Sequence, residues 1–153
     1  MGWFLDLFSN PFLITSTLAW LVAQVLKVII NAFIHRKLDW ERLFGDGGMP
    51  SGHSATVSSL ATITGLLCGL RSYEFGISAI LAIIVCHDAM GVRLETGKQA
   101  EVLNDLIEVI DLLTTEELPE VKLKEFVGHT PVQVFAGIIV GILNAVGMYF
   151  LLY

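Results

Sequence analysis

Long apolar runs without charged residues restrict this chain to a small set of architectures. The run from Pro131 to Tyr153 contains no Asp, Glu, Lys or Arg. A helix needs about 20 apolar residues to cross the hydrocarbon core of a bilayer. Inside lipid the backbone must satisfy its own hydrogen bonds, and an α-helix does so within one segment. The run therefore predicts a membrane-spanning helix.

The rest of the chain extends this pattern into a helix bundle. The chain is 54% hydrophobic and 16% charged, which is too little charge to cover the surface of a soluble domain. Lys27 is the only charged residue within the first of the earlier apolar runs, and the third turns polar only at His87. We predict an all-α fold, a single polytopic membrane domain over residues 1–153 with about four spanning helices. The three spans that precede 131–153 are 11–34, 53–70 and 75–92.

A segment of different character separates the last two predicted spans. Across residues 95–113, apolar side chains recur at helical spacing while acidic and amide side chains fill the positions between them. This pattern predicts an amphipathic helix at the membrane interface or against the bundle. Two pairs of glycines spaced four apart permit close helix contact, either inside the chain or at the seam of a homodimer: Gly65/Gly69 and Gly137/Gly141.

The distribution of basic residues predicts the orientation in the membrane. The segments after the first and third spans hold seven of the 9 Lys and Arg residues, whereas the opposite side holds only Arg71. Basic residues next to spans favour the cytoplasmic side. We therefore expect both long segments in the cytoplasm and both termini outside, in a bacterial plasma membrane. The net charge of −6 argues against nucleic acid as a partner.

Two predicted helix starts on that same side carry histidines. Ser51 or Ser54 has the chemistry of an N-cap, and His53 lies between them. Thr130 followed by Pro131 is a second helix start, with His129 directly before it. Free N–H groups and the helix dipole favour anions at such starts. The pair indicates a phosphate site, and two capped helices with interfacial histidines are the simpler alternative.

Charged side chains at the margin of the spans are further candidates. Gln24, Lys27 and Asn31 form a polar stripe on one face of the first span. A lysine there either faces the bundle interior or extends to the interface. Asp88 and Arg93 follow the apolar part of the third span, and they either join the site or simply pair with each other.

The motifs resemble those of a known family. Pro50-Ser51-Gly52-His53 is similar to the central motif of the type 2 phosphatidic acid phosphatase superfamily, which includes vanadium haloperoxidases. The stretch 128–137 is similar to that superfamily's closing motif. The whole pattern most closely resembles the divergent PAP2 family, and it consists of four blocks in order: GGMPSGHSA, HDAMGVR, GKQAEVLN and KEFVGHTPVQVFAG.

The resemblance implies roles for individual residues. His129 matches the nucleophile that forms a phosphohistidine, and His53 matches the general acid that protonates the leaving oxygen. Ser51, the backbone of Gly52 and Lys27 match groups that bind the phosphate. No metal or cofactor is implied.

Two positions depart from the superfamily's closing motif. Leu123 stands where the motif has an arginine, and Gln133 stands where an acid orients the histidine. We expect Arg93 and Lys124 to supply the phosphate-binding cation and Asp88 to supply the carboxylate.

The predicted function is metal-independent hydrolysis of a lipid phosphate or diphosphate by a membrane phosphatase. Its partners are then the phosphorylated lipid substrate and membrane lipids. The alternative is a non-catalytic membrane protein that binds a phosphorylated lipid or partner in the same pocket.

Overall fold

The computed structural model describes residues 2–36, 48–113, 123 and 128–152, and all regular elements in these ranges are helices. The all-α prediction is therefore confirmed. The helices are α1 Gly2–Phe8, α2 Pro11–His35, α3 Gly52–Cys68, α4 Tyr73–Met90, α5 Val92–Leu113 and α6 Pro131–Leu152.

Three of these helices begin at side-chain caps. The Asn10 Oδ1 atom accepts hydrogen bonds from the N–H groups of Phe12 and Leu13, at 3.0 and 3.3 Å, and starts α2. Ser51 starts α3 and Ser72 starts α4, each by accepting a hydrogen bond from the backbone N–H three residues on. Caps of this kind satisfy N–H groups that have no partner within the helix, and so they fix where each helix begins.

Among the residues that the structure describes, three helical stretches are long and apolar enough to cross a membrane: Pro11–Ile34, Tyr73–Asp111 and Pro131–Leu152. The second stretch joins α4 to α5 across the single residue Gly91. Helix α3 has 17 residues, at the short end of the lengths that cross a bilayer. Of the four predicted spans, three are helical stretches with the length and the apolar composition needed to cross a membrane. The fourth is the shorter α3, which packs among them.

The contact between α3 and α6 is made backbone to backbone at two glycines. A Cβ atom added to Gly137 would lie 2.4 Å from the Ser51 carbonyl oxygen, and one on Gly141 would lie 2.3 Å from that of Ala55. Only glycine allows helices to approach so closely. This pair therefore serves packing inside the chain. Gly65 instead faces the side chains of Leu70 and Phe75, and a homodimer seam stays a prediction.

Polar side chains lie inside the bundle and apolar ones face outward. Asn144 donates to the backbone carbonyl of Thr15 at 2.9 Å and to the hydroxyl of Ser59 at 3.3 Å, tying α6 to α2 and α3. On α4, Ile77 and Ile80 are among the most exposed residues. This distribution suits a hydrocarbon solvent, in which buried polar groups need partners and apolar surface costs nothing to expose.

Four helices bring polar residues together at one end of the bundle. The Ser51 N–H at the start of α3 donates to the Gln133 carbonyl in the first turn of α6, at 3.0 Å. The His129 N–H donates to the Ala89 carbonyl at the end of α4, also at 3.0 Å. Gly48, before α3, packs on the stem of Lys27 in α2.

Candidate functional site

The two histidines predicted at separate helix starts face each other. The ring centroids of His53 and His129 are 6.3 Å apart, and the ring planes meet at 60°. The two side chains differ in environment, because His53 is exposed and His129 is only 2% exposed. The contact between Gly137 and Ser51 fixes the start of α3 against α6, and so it helps to set this spacing.

The loop before α6 holds His129 by its backbone. Gly128 has a φ of +99°, and a Cβ atom there would lie 2.4 Å from the Leu94 nitrogen. A side chain at this position would be excluded both by the left-handed backbone conformation and by the start of α5. The His129 N–H also donates to the Ala89 carbonyl, so the backbone of this loop is fixed against the junction of α4 and α5.

Gln133 orients the imidazole of His129. Its Oε1 atom lies 3.3 Å from His129 Nδ1 and accepts a hydrogen bond from the Thr130 backbone N–H at 3.1 Å. The backbone N–H can only donate, so this atom of the amide must be the oxygen. The neutral imidazole therefore carries its proton on Nδ1, and the lone pair lies on Nε2. The bond from position N3 of the helix back to the N-cap is also half of a capping box.

The environment of His129 favours the uncharged ring. Burial lowers the pKa of His129, and the positive charges of Lys27 and His53 lower it further. The hydrogen bond from the ring to Gln133 and the interaction of the ring with the Gly48 backbone oppose this effect but do not reverse it. A histidine shifted downward from an ordinary value near 6.5 is neutral at pH 7, so its lone pair is available to attack an electrophile.

Ser51 and Gly52 build the first turn of α3. Ser51 is fully buried, and its hydroxyl oxygen accepts from the N–H and the hydroxyl of Ser54, at 3.4 and 3.0 Å. Gly52 is buried against the ring of Trp20, where a Cβ atom would lie 3.3 Å from Cδ1. The backbone N–H groups of this first turn have no acceptor within the helix, which is what binds an anion at a helix start.

Lys27 lies inside the bundle rather than extending to the interface. Its side chain is 3% exposed, and its aliphatic stem lies 3.3 Å from where a Cβ atom of Gly48 would be. Its charge is near enough to His129 to lower the pKa of that ring. A buried cation beside two helix starts gives this end of the bundle a positive potential.

The structure pairs Asp88 with Arg93. The Arg93 Nε atom donates to Asp88 Oδ2 at 2.9 Å, and both side chains are half-exposed. The alternative of a plain ion pair therefore describes these two residues. The orienting contact on the His129 ring comes from Gln133, and the predicted role of Asp88 toward that ring stays a prediction.

Leu123, which stands where the superfamily motif has an arginine, is bound through its backbone by a side chain of α5. The Asn104 side chain of α5 donates to the Leu123 carbonyl at 2.9 Å and accepts from the Leu123 N–H at 3.0 Å. Lys124 lies outside the described residues. Sequence reasoning missed the roles of Asn104 and Gln133, although the spacing of Gln133 from Thr130 matches a capping box.

Comparison with known proteins agrees with this arrangement. The family model described as the divergent PAP2 family matches residues 8–144. The chain belongs to the divergent PAP2 family. It is 43% identical over 148 residues to YuiD, an uncharacterized membrane protein of Bacillus subtilis (strain 168), with 91% of this chain and 94% of YuiD covered. No solved structure matches the chain.

The family and the apolar helices together establish a membrane protein. The described residues at the site offer a neutral buried imidazole, a second imidazole, a buried lysine and a helix start. These groups suit phosphoryl chemistry, since they combine a nucleophile, a proton donor and fixed positive potential. Among the described residues, no group of three His, Cys, Asp or Glu side chains could hold a metal ion.

Proposed function

We propose that this protein is a membrane phosphatase that hydrolyses a lipid phosphate or diphosphate through a phosphohistidine on His129. The observation that carries the proposal is the contact between Gln133 Oε1 and His129 Nδ1, with the amide oxygen identified by the Thr130 N–H. It gives the ring the tautomer in which Nε2 is nucleophilic. An imidazole with only a structural task would not need its second nitrogen kept unprotonated.

The proposed reaction has two steps that balance. In the first, His129 Nε2 attacks phosphorus, a P–N bond forms, the P–O bond to the lipid breaks, and protonated His53 gives its proton to the leaving oxygen. In the second, a water gives a proton to His53 and attacks phosphorus, and the P–N bond breaks to release phosphate. The N–H groups at the start of α3 and the charge of Lys27 stabilise the negative charge that develops on the phosphoryl oxygens.

The site faces the cytoplasm in this proposal, with both termini outside. The contacts at one end of the bundle place the segment before α3 and the segment before α6 on the same side. The bias of basic residues toward those two segments then favours the cytoplasm of a bacterial plasma membrane. A cytoplasmic site restricts the substrate to phosphorylated lipids of the inner leaflet.

A non-catalytic binding protein is the second candidate function. It is favoured by Leu123, which replaces an arginine of the superfamily motif and whose backbone is held by Asn104. Without that arginine, the phosphate would be bound by a helix start and Lys27 but would lack one cation in the transition state. Such a protein would bind phosphorylated lipids tightly and release no phosphate.

Phosphate release from purified protein in lipid nanodiscs distinguishes the two candidates. We expect turnover of at least one lipid in a panel of phosphatidic acid, phosphatidylglycerol phosphate and polyprenyl diphosphate. His129→Ala and His53→Ala should each lower turnover by about 10³-fold or more, as expected for a nucleophile and its proton donor. His87→Ala is the matched control, because His87 is an exposed histidine in the last turn of α4. Binding without turnover in the unmodified protein would favour the second candidate.

A further inference from the structure

A side-chain amide of α2 is buried near the start of α3 without a hydrogen-bond partner. Gln24 is 6% exposed, and its Oε1 atom has no hydrogen-bond partner among the described residues. Buried polar atoms normally have a partner, because an unpaired polar group in an apolar surrounding costs free energy. The packing of the helices therefore does not explain why an amide stands at this position.

Gln24 lies next to the residue that begins α3. Its Cδ atom lies 3.9 Å from where a Cβ atom of Gly52 would be, and the Trp20 Nε1 atom lies 3.5 Å from the same point. Gly52 is the first residue of α3, so its N–H group is one of those that have no acceptor within the helix. The unpaired amide thus lies beside the backbone groups that would bind a phosphoryl oxygen.

The same face of α2 also carries Lys27. Gln24 and Lys27 are three residues apart, a spacing that places both side chains on one side of a helix. Gln24 lies against Gly52, and the stem of Lys27 lies against Gly48, so the start of α3 and the residues before it pack along both side chains. A buried cation and a buried amide are therefore presented together to this end of the bundle.

The side-chain amide can bind a phosphoryl group through its nitrogen. An amide carries two N–H donors and one acceptor oxygen, and its two ends exchange by a half-turn about the Cγ–Cδ bond. In Gln24, no hydrogen bond from Oε1 to the described residues fixes this turn. A deprotonated phosphoryl oxygen needs a donor, and a hydrogen bond to a charged acceptor is stronger than one between neutral groups. The N–H end of the amide is therefore the one that suits this ligand.

We infer that Gln24 is a further substrate-binding residue, whose amide N–H donates to an oxygen of the phosphoryl group bound at the start of α3. The inference rests on the proposed function, because it takes the phosphoryl group to lie there. It assigns two phosphate ligands to α2, the charge of Lys27 and the neutral amide of Gln24. The amide gains its partner when the phosphoryl group binds, which accounts for an unpaired polar group inside the bundle.

Binding of inorganic phosphate to Gln24→Met tests the inference without requiring turnover. Methionine keeps the length of the side chain and removes the buried unpaired group. Isothermal titration calorimetry on the whole chain in phosphatidylcholine nanodiscs measures the dissociation constant for phosphate. We expect it to rise about tenfold, the scale of one hydrogen bond to a charged group. The melting temperature should stay the same or rise, whereas loss of an amide with a purely structural role would lower it.

A second variant and a matched control accompany this measurement. Gln24→Glu replaces the N–H donor by a second oxygen at nearly the same size, and it should weaken phosphate binding at least as much as Gln24→Met. Thr15→Val is the control, because Thr15 is fully buried in the same helix and its Oγ1 atom also has no partner among the described residues. Thr15 lies about 14 Å from Gln24 along α2 by the helical rise, so Thr15→Val should leave phosphate binding unchanged.

Three results would overturn the inference. An unchanged dissociation constant in both Gln24 variants would indicate that buried water alone satisfies the amide. An equal rise in Thr15→Val would indicate that the effect comes from the packing of α2. An absence of phosphate binding by the unmodified protein would remove the ligand that the amide is proposed to bind.

The proposed function fails separately from this inference. Phosphate binding that depends on Gln24, in a protein that releases no phosphate from lipids, would leave a binding site and no enzyme. Turnover by the unmodified protein, with unchanged phosphate binding in Gln24→Met, would leave the enzyme and remove Gln24 from its site.

Discussion

Replacement of Gln133 by methionine tests the geometry on which the mechanism depends. The amide oxygen accepts from His129 Nδ1 and from the Thr130 N–H, and methionine keeps the size of the side chain but offers neither bond. His129 is buried, so its Nδ1–H would be left without a partner. A buried donor without an acceptor costs about 1–3 kcal/mol, and we expect the free energy of unfolding to fall by that amount.

The effect on catalysis should exceed the effect on stability. Without the acceptor, the ring can rotate and can place its proton on Nε2, which removes the nucleophile. In a serine protease, a histidine left in the wrong tautomer loses about 10⁴-fold in kcat. Because Gln133→Met frees the tautomer without reversing it, we expect kcat/KM to fall by about 10²-fold. Val132→Met is the matched control, since Val132 is exposed in the same turn.

The pH dependence of kcat/KM shows in which direction each substitution of Gln133 moves the pKa of His129. The neutral form of His129 attacks, so activity falls as the pH drops through its pKa. The hydrogen bond to Gln133 raises the pKa of His129 against the lowering by burial, so its removal must lower that pKa further. The acid limb of Gln133→Met should therefore move to lower pH. Gln133→Glu places a carboxylate beside Nδ1, raises the pKa of His129, and should move the limb to higher pH while keeping turnover.

Two outcomes would refute this reasoning. Full turnover in Gln133→Met with an unmoved acid limb would show that the amide does not orient the nucleophile. Loss of turnover in Gln133→Glu equal to that in the methionine variant would show that the amide, rather than an acceptor at Nδ1, is required. Phosphate release in nanodiscs from pH 5 to pH 9 measures both.

Three further predictions use other contacts. Gly137→Ala should lower the free energy of unfolding by about 1–3 kcal/mol and reduce turnover, because its Cβ atom meets a backbone carbonyl of α3. Gly147→Ala is the control, since its Cβ atom has open space, and it should change neither quantity in thermal-melt and phosphate-release assays. Arg93→Gln should lower the free energy of unfolding by less than about 1 kcal/mol, since the ion pair of Arg93 with Asp88 is half-exposed. A loss of turnover above about 10²-fold would instead indicate that Arg93 binds the phosphate. In a cysteine-free background, Ser72→Cys should react with an impermeant thiol reagent in intact cells and Glu95→Cys should not, and the reverse would place the site outside.

The helices and their starts were the predictable part of the fold. Long apolar runs with few or no charged residues predicted the apolar helices, and Ser51 or Ser54 and Thr130 marked two starts, because these signals are local. The ends of α3 and α4 differed by two residues from the predicted spans, since hydrophobicity does not report where capping stops a helix.

The pairings within the site needed the structure. Lys27 on its apolar helix has two equally reasonable positions, and burial beside Gly48 depends on a segment distant in sequence. Asp88 and Arg93 are separated by Gly91, where α4 ends, so helical spacing could not tell whether they meet. The superfamily has an acid at the position of Gln133, so the sequence indicated that the contact orienting the histidine was missing. The amide oxygen nevertheless accepts the same hydrogen bond from the ring.

Trapping of the covalent intermediate tests the central claim most directly. Purified protein in nanodiscs is mixed with a lipid carrying a ³²P-labelled terminal phosphate, quenched in alkali, and digested for mass spectrometry. A phosphoryl group on a histidine nitrogen resists alkali and is lost in acid. We predict label on His129, and we expect it to be absent from His129→Ala. Label on another residue, or phosphate release that persists in His129→Ala, would contradict the phosphohistidine mechanism.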